Sequence, residues 1–223
     1  MRSKLKRGSF LFLVGLVSLV ILLPLWTSGG LANARQSQKV AYSQKEFIQT
    51  IAPTAQKLSE TYGVKASVII GQAALESNYG TSLLGSKYHN LFSIEADEGE
   101  SGILLQNKEF RDTSWQTVEK TYLVYKSWDD SMYDYLARLR QGKVGGKGLY
   151  KALATSASYR AAAKTLQAGG LSSDPEYANE LIAVIDGNSL TDYDKQKHPE
   201  KGVFHFFMTS VIEKSDICKL VKG

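Results

Sequence analysis

The chain is poor in the residues that build most metal and redox centres, with one cysteine, three histidines and four prolines among 223 residues. A single cysteine excludes an intrachain disulfide framework and any Cys-rich zinc or iron–sulfur site. Three scattered histidines leave little material for a His-based metal centre, so neither a metal nor a cofactor is expected. A Gly-x-Ser-x-Gly nucleophile elbow is missing. So is a phosphate loop: Gly142 to Gly148 lacks both the Ser or Thr after Gly-Lys and a preceding strand. Cys218 sits near the C-terminus with no histidine close by in sequence, a bystander rather than a nucleophile. Excess charge is scarce too. The net charge is +5, yet Arg2, Lys4, Lys6 and Arg7 supply four of those positives, and beyond residue 34 the balance is 23 basic against 22 acidic residues. A near-neutral body offers no footprint for nucleic acid. The remaining composition, 43% hydrophobic and 22% charged, is ordinary for a globular chain and excludes wholesale disorder, collagen and a multi-span membrane protein. The length suits one domain with an appendage, or at most two small domains.

Long apolar stretches are confined to one place. Residues 1–9 are basic, and Phe10 to Trp26 is apolar apart from Ser18. Ala32-Asn33-Ala34 then presents small residues two apart, completing the order of a secretory signal. The run of 17 residues also reaches the lower limit of about 17–25 for a spanning helix, so an uncleaved anchor through residues 10–26 is the competing reading. Export of the remainder is expected either way, because the basic flank stays cytoplasmic. Residues 35–42 are polar and read as a linker.

Helical signals follow. Ser43-Gln44-Lys45-Glu46 is a capping-box pattern, and Phe47, Ile48, Ile51, Ala55, Leu58 and Tyr62 recur at helical spacing up to Gly63. A second helix, from about Lys65 to Asn78, is apolar on most sides and belongs in the middle of a core. From His89 to Lys126 the texture changes. Ile103 to Phe110 and Trp115 to Tyr125 are rich in β-branched and aromatic residues, with Arg111 to Ser114 as a hairpin connection and the acidic stretch Glu95 to Gly102 as a solvated loop. Helices resume after Ser127, again at Leu149 to Ala154, after Ser158, and after Asp174-Pro175, the last as an N-cap followed by proline at the first helical position. The fold class is thus α+β: a helical domain with a small β-lobe at about residues 89–126.

Carboxylates carry the chemistry that remains. Glu76 stands at the C-terminal end of the second helix beside Ala73, Ala74 and Leu75. The negative end of the helix dipole and an apolar wall both raise a carboxyl pKa, as a general acid requires. A solvent-facing Glu at a helix end is the bland alternative and the commoner fate. A partner carboxylate would come from the β-lobe, where Glu95, Asp97, Glu98 and Glu100 share the acidic loop and Glu109 and Glu119 stand among strand-like residues.

These stretches resemble glycoside hydrolase family 73, the bacterial peptidoglycan N-acetylglucosaminidases that include autolysins. Ser67 to Gly80, with Gln72-Ala73-Ala74-Leu75-Glu76-Ser77 at its centre, resembles the family's catalytic-helix motif. Asn90-Leu91-Phe92-Ser93-Ile94 resembles the element opening its β-lobe, with Ser93 in place of the usual glycine. Tyr122-Leu123-Val124-Tyr125 with Ser127, and Asp174-Pro175-Glu176-Tyr177-Ala178, resemble two further elements in family order. The resemblance implies a lysozyme-like fold with a glycan cleft between helices and β-lobe. It further implies Glu76 as the catalytic acid, Glu109 as the second carboxylate, Tyr177 as an active-site tyrosine, and Tyr88, Asn90 and Phe92 as substrate contacts. The implied substrate is the peptidoglycan glycan strand, cut after N-acetylglucosamine outside the cytoplasm. A muramidase, a lytic transglycosylase and a non-catalytic wall-binding protein are the rivals. The expected layout is a signal or anchor at 1–34, a linker at 35–42, a catalytic domain at 43–190 and a tail at 191–223 that is basic from Lys195 and dispensable for chemistry.

Overall fold

The computed structural model describes residues 30–195. It is a mainly helical domain carrying one two-stranded antiparallel hairpin. Helix α1, Gln44–Tyr62, starts at the expected capping box: Ser43 Oγ accepts from the Glu46 amide at 3.2 Å, and the Ser43 amide donates to Glu46 Oε2 at 2.7 Å. It stops at Gly63, whose φ of +73° a residue with a Cβ adopts at a cost. Helix α2, Ala66–Ser77, is the core element, with every residue from Ala66 to Ala74 buried. A helix that is apolar all round must be surrounded. Around it pack α1, the six-residue α3 (Leu83–Tyr88), α6 (Tyr159–Ala168) and α7 (Tyr177–Gly187). Gly71 lets α7 approach, since a Cβ there would lie 2.8 Å from Ile185 Cγ1 and 3.0 Å from Leu181 Cδ1. Helices α4 (Trp128–Gln141) and α5 (Leu149–Ala154) complete the domain against α1 and α6. Ser127 and Ser158 cap α4 and α6 as expected. Asp174 does not cap α7 directly. Its carboxylate accepts from the Glu176 amide at 2.8 Å, shaping a turn that precedes the helix by two residues.

The β-lobe is the hairpin of β1 (Ile103–Arg111) and β2 (Ser114–Tyr122), paired from Ile103–Tyr122 to Arg111–Ser114. Asp112 and Thr113 both take positive φ at its tip, the geometry of a two-residue turn whose twist matches the strands. Parity then sorts the side chains: Leu105, Asn107 and Glu109 share one face with Lys120, while Glu119 points to the other and is exposed.

Three further sequence expectations are corrected. Residues 35–42 are not a free linker. The chain from Ala32 to Gln38 is a strap laid along the edge of β1 and over the start of α3. The Ala34 amide donates to the Gln106 carbonyl, the Gln106 amide to Ala32, the Leu84 amide to Ala34 and the Leu83 amide to Gln36, all at 2.7–3.0 Å. An unpaired strand edge and the first amides of a helix both need backbone partners; Ser82 caps the Gly85 amide of α3, and the strap takes the Leu83 and Leu84 amides. The acidic loop is not merely solvated either: Asp97 and Glu100 are held by Arg138, which Asp134 braces from one turn away on α4. The domain also extends past residue 190. Leu190 is fully buried, and the 3₁₀ helix Leu190–Asp194 brings the Asp194 carboxylate to the Ser67 amide at 2.8 Å and the Ser67 hydroxyl at 2.7 Å. That anion satisfies the N-terminus of α2, which has no side-chain cap of its own. Truncation at 190 would remove it. The apolar run at residues 10–26, and the tail from 196 with its Phe204, Phe206 and Phe207, lie outside the described residues. Among the described residues no helix is long and apolar enough to cross a membrane.

Candidate active site

A cleft of about 750 Å³ opens where the end of α2 faces the hairpin. Glu76 and Glu109 both line it, with Phe92, Tyr177 and Trp115. Glu76 lies at the last turn of α2, where the helix closes on Asn78 in the left-handed conformation. Its side chain is only 11% exposed. Burial, the largest influence, pushes its pKa up; the charge of Arg35, the facing Tyr177 and Ser93 hydroxyls and the Arg35 hydrogen bond pull the other way without cancelling it. Ser93 itself has φ +53°, which explains why glycine suits that position, and here the β-carbon is tolerated and brings a hydroxyl towards Glu76.

Glu109 has the opposite character. Burial alone would raise it, but hydrogen bonds and charge from Lys120 and Arg111 outweigh that and hold its carboxyl below the usual range. Lys120 also reaches Glu95, tying the loop to the hairpin face that carries Glu109. The cleft therefore holds one carboxyl favoured as the acid and one favoured as the anion. Tyr177 is buried on α7 with its phenol pKa far above normal, from burial first and the nearby Glu76 second. Gln72, one turn before Glu76, donates to Tyr135 Oη at 2.8 Å and reaches Tyr177 Oη at 3.4 Å.

The expected substrate contacts divide. Phe92 lines the cleft, stacked on Tyr135 with centroids 4.1 Å apart and planes 5° apart. Asn90 does not reach the cleft. It is 1% exposed, and its amide is spent on the backbone of Ile94 and Leu123. Tyr88 likewise is a packing residue, set against the small cluster of Leu83, Leu84, Leu105 and Tyr122 rather than in the cleft. Of the other carboxylates, Glu95 and Asp97 line the cleft edge in ion pairs, while Glu98 and Glu119 are exposed.

Arg35 was not foreseen as part of the site. Its guanidinium donates to Glu76 Oε2 at 2.7 Å, from a position 41 residues earlier in the chain. Nothing local in sequence marks it. Gln72 did carry a signal, lying four residues before Glu76 on the same helix face. Among the described residues no cluster of metal-ligating side chains occurs.

Residues 52–190 match the glucosaminidase family model, described as mannosyl-glycoprotein endo-beta-N-acetylglucosaminidase. The exo-glucosaminidase LytG of Bacillus subtilis is 29% identical over 206 residues, covering 91% of this chain and 73% of that protein. A probable N-acetylmuramidase of Lactococcus lactis is 32% identical over 160 residues, and the match spans 70% of this chain but only 36% of that protein. Among solved structures, the catalytic domain of the autolysin Auto from Listeria monocytogenes superposes with a TM-score of 0.58 at 31% identity, covering 70% of this chain and 91% of that one. The helical body with its hairpin lobe is thus the lysozyme-like α+β arrangement expected from sequence. With the family model spanning most of the described domain, the chain belongs to the glucosaminidase family, glycoside hydrolase family 73, and is a glycoside hydrolase.

Proposed function

We propose that this enzyme hydrolyses the β-1,4 bond after N-acetylglucosamine in peptidoglycan strands outside the cytoplasm, with Glu76 protonating the glycosidic oxygen. The observation that carries the reading is the opposed pair in one cleft, Glu76 pushed up by burial and Glu109 held down by two cations. A glycosidase that works with two carboxyls needs one that is protonated when the bond breaks and another that is ionised. Peptidoglycan as the substrate rests on the family, whose relatives include peptidoglycan hydrolases and an autolysin. The printed activities of those relatives differ, so the bond is tested by its product. Digested wall material should carry N-acetylglucosamine at the new reducing ends by mass spectrometry. N-acetylmuramic acid there, or its anhydro form, would refute the assignment in favour of a muramidase or lytic transglycosylase. A spread of strand lengths supports internal cutting, and release of terminal sugar alone refutes it.

Glu109 is assigned the base that activates water, or the anion that stabilises the developing positive charge. Glu109→Gln is expected to lower turnover by about 10²-fold or more, within the range for general-base catalysis. Glu119→Gln, on the opposite hairpin face, should leave turnover within about twofold, as an exposed substitution normally does. Polarimetry or NMR of the first-formed anomer, with azide added to the Glu109 variant, distinguishes the routes. Inverted product with azide rescue supports the base role. Full activity of Glu109→Gln removes it and leaves assistance by the sugar's own 2-acetamido group, oriented by Tyr177.

A further inference from the structure

We infer that Arg35 is a specificity-determining residue that accepts a carboxylate of the muramyl unit, and that this exchange frees Glu76 to take up the proton it delivers. The inference rests on the peptidoglycan reading above. Among the described residues, Glu76 is the only side chain to which the Arg35 guanidinium donates, through one nitrogen at 2.7 Å. The remaining donors of that planar fork point from a side chain that is 49% exposed, while Glu76 at the other end of the pair is 11% exposed. A guanidinium in that position can hold a second, bidentate carboxylate or trade one for another.

The surroundings make such a cation necessary for an anionic strand. Glu95, Asp97, Glu109, Asp174 and Glu180 all line the cleft with Glu76. A strand bearing lactyl or stem-peptide carboxylates meets that negative field, and most other cations at the cleft are engaged with it already: Lys120 with Glu95 and Glu109, Arg138 on α4 and Lys143 just beyond it with Asp97, whereas Lys108 on β1 lines the cleft outside these ion pairs. Arg35 stands beside the acid itself. The strap fixes it there from both sides, through the Ala34 and Gln36 backbone. Placement by the strap matters because a loose arginine would lose in entropy what it gains in charge pairing.

The exchange has a proton consequence. The groups facing Glu76 are Arg35 from the strap, Ser93 from the loop before the hairpin and Tyr177 from α7, with Tyr135 of α4 behind Gln72. Of these only Arg35 is cationic, and it favours the carboxylate form. When a substrate carboxylate draws Arg35 away, Glu76 takes up a proton from the buffered solvent. It then gives that proton to the glycosidic oxygen as the bond breaks. The anionic strand thereby loads the acid that cuts it. Glu180, raised by its own burial and by Asp174, also lies within the field of Arg35 and would be relieved in the same sense.

The test uses the full chain and a matched substrate pair: glycan strands freed of stem peptides, with lactyl carboxylates intact, and the same strands with those carboxylates converted to primary amides. Wild type should prefer the carboxylate strands through KM. Arg35→Gln should raise KM on them by about tenfold or more, the scale of one charged hydrogen bond, and so remove the preference for carboxylate over amide strands. Its alkaline limb on the amide strands should move to higher pH, because Glu76 loses the charge that favours ionisation. Arg35→Lys should recover part of the preference. Equal loss on both substrates with an unmoved pH limb would make Arg35 structural and overturn the inference. Absence of preference in the wild type overturns it as well, even if the glutamine variant fails to fold. Failure of the wild type on both strands instead sinks the peptidoglycan reading, and the inference falls with it.

Discussion

Glu76→Gln is expected to abolish wall lysis, lowering turnover by at least about 10²-fold, while making the folded protein more resistant to heat at neutral and alkaline pH. The amide keeps the size and the hydrogen-bonding reach of the acid but has no proton to transfer. Its effect on stability follows from linkage. Burial raises the folded pKa of Glu76 above its ordinary value. For a group raised on folding, the stabilising contribution is fully present below the unfolded pKa, about 4.3 for Glu, and is lost as pH rises through the folded pKa. The wild type therefore carries the cost of a desolvated carboxylate at pH 8 that it does not carry at pH 4. The glutamine variant escapes that cost, and the ion pair that it forfeits, half-exposed at its Arg35 end, offsets the burial of Glu76 only in part. Melting curves at the two pH values should show an advantage for Glu76→Gln that is larger at pH 8. Retention of activity within about tenfold of wild type would sink the general-acid role. A variant less stable at pH 8 than at pH 4, relative to wild type, would show that Arg35 and the facing hydroxyls outweigh burial.

Asn90→Leu is expected to cost about 3–5 kcal/mol or to prevent folding, although Asn90 does not line the cleft. Asn90 Nδ2 donates to the Ile94 and Leu123 carbonyls at 2.9 Å each, and Oδ1 accepts from the Ile94 amide at 3.0 Å. Leucine fills a similar volume and leaves the Ile94 amide and the Leu123 carbonyl without their side-chain partner, at about 1–3 kcal/mol apiece before relaxation, while the Ile94 carbonyl keeps only the Leu123 amide at 3.0 Å. The consequence reaches the site because the turn that Asn90 closes is the one that carries Phe92 and Ser93 to the cleft. Denaturant titration should show the loss in the unfolding midpoint. A variant with wild-type stability and only a raised KM would return Asn90 to the substrate contacts and remove it from the scaffold.

What the sequence by itself determined is what short-range physics controls. Helix starts are legible because a serine cap and its glutamate lie three residues apart, as at Ser43 and Glu46. The central place of α2 follows from its lack of a polar face, and the raised pKa of Glu76 from a carboxyl at a helix end beside apolar neighbours. The hairpin and its tip also follow from local composition, and strand parity separates Glu109 from Glu119 once the register is known. The tertiary structure alone decided where polar groups across long loops meet. Arg35 lies in a polar stretch that reads as a linker, yet the open edge of β1 takes up that stretch and delivers the guanidinium to Glu76. Asp194 caps a helix that begins 128 residues earlier. Arg138 gathers an acidic loop that looks solvated, and Asn90 turns inward to serve the backbone of Ile94 and Leu123. Buried backbone and charge must be satisfied by whatever the fold brings near. Periodicity reports which face of an element is buried, but it does not say which distant residue will be waiting there.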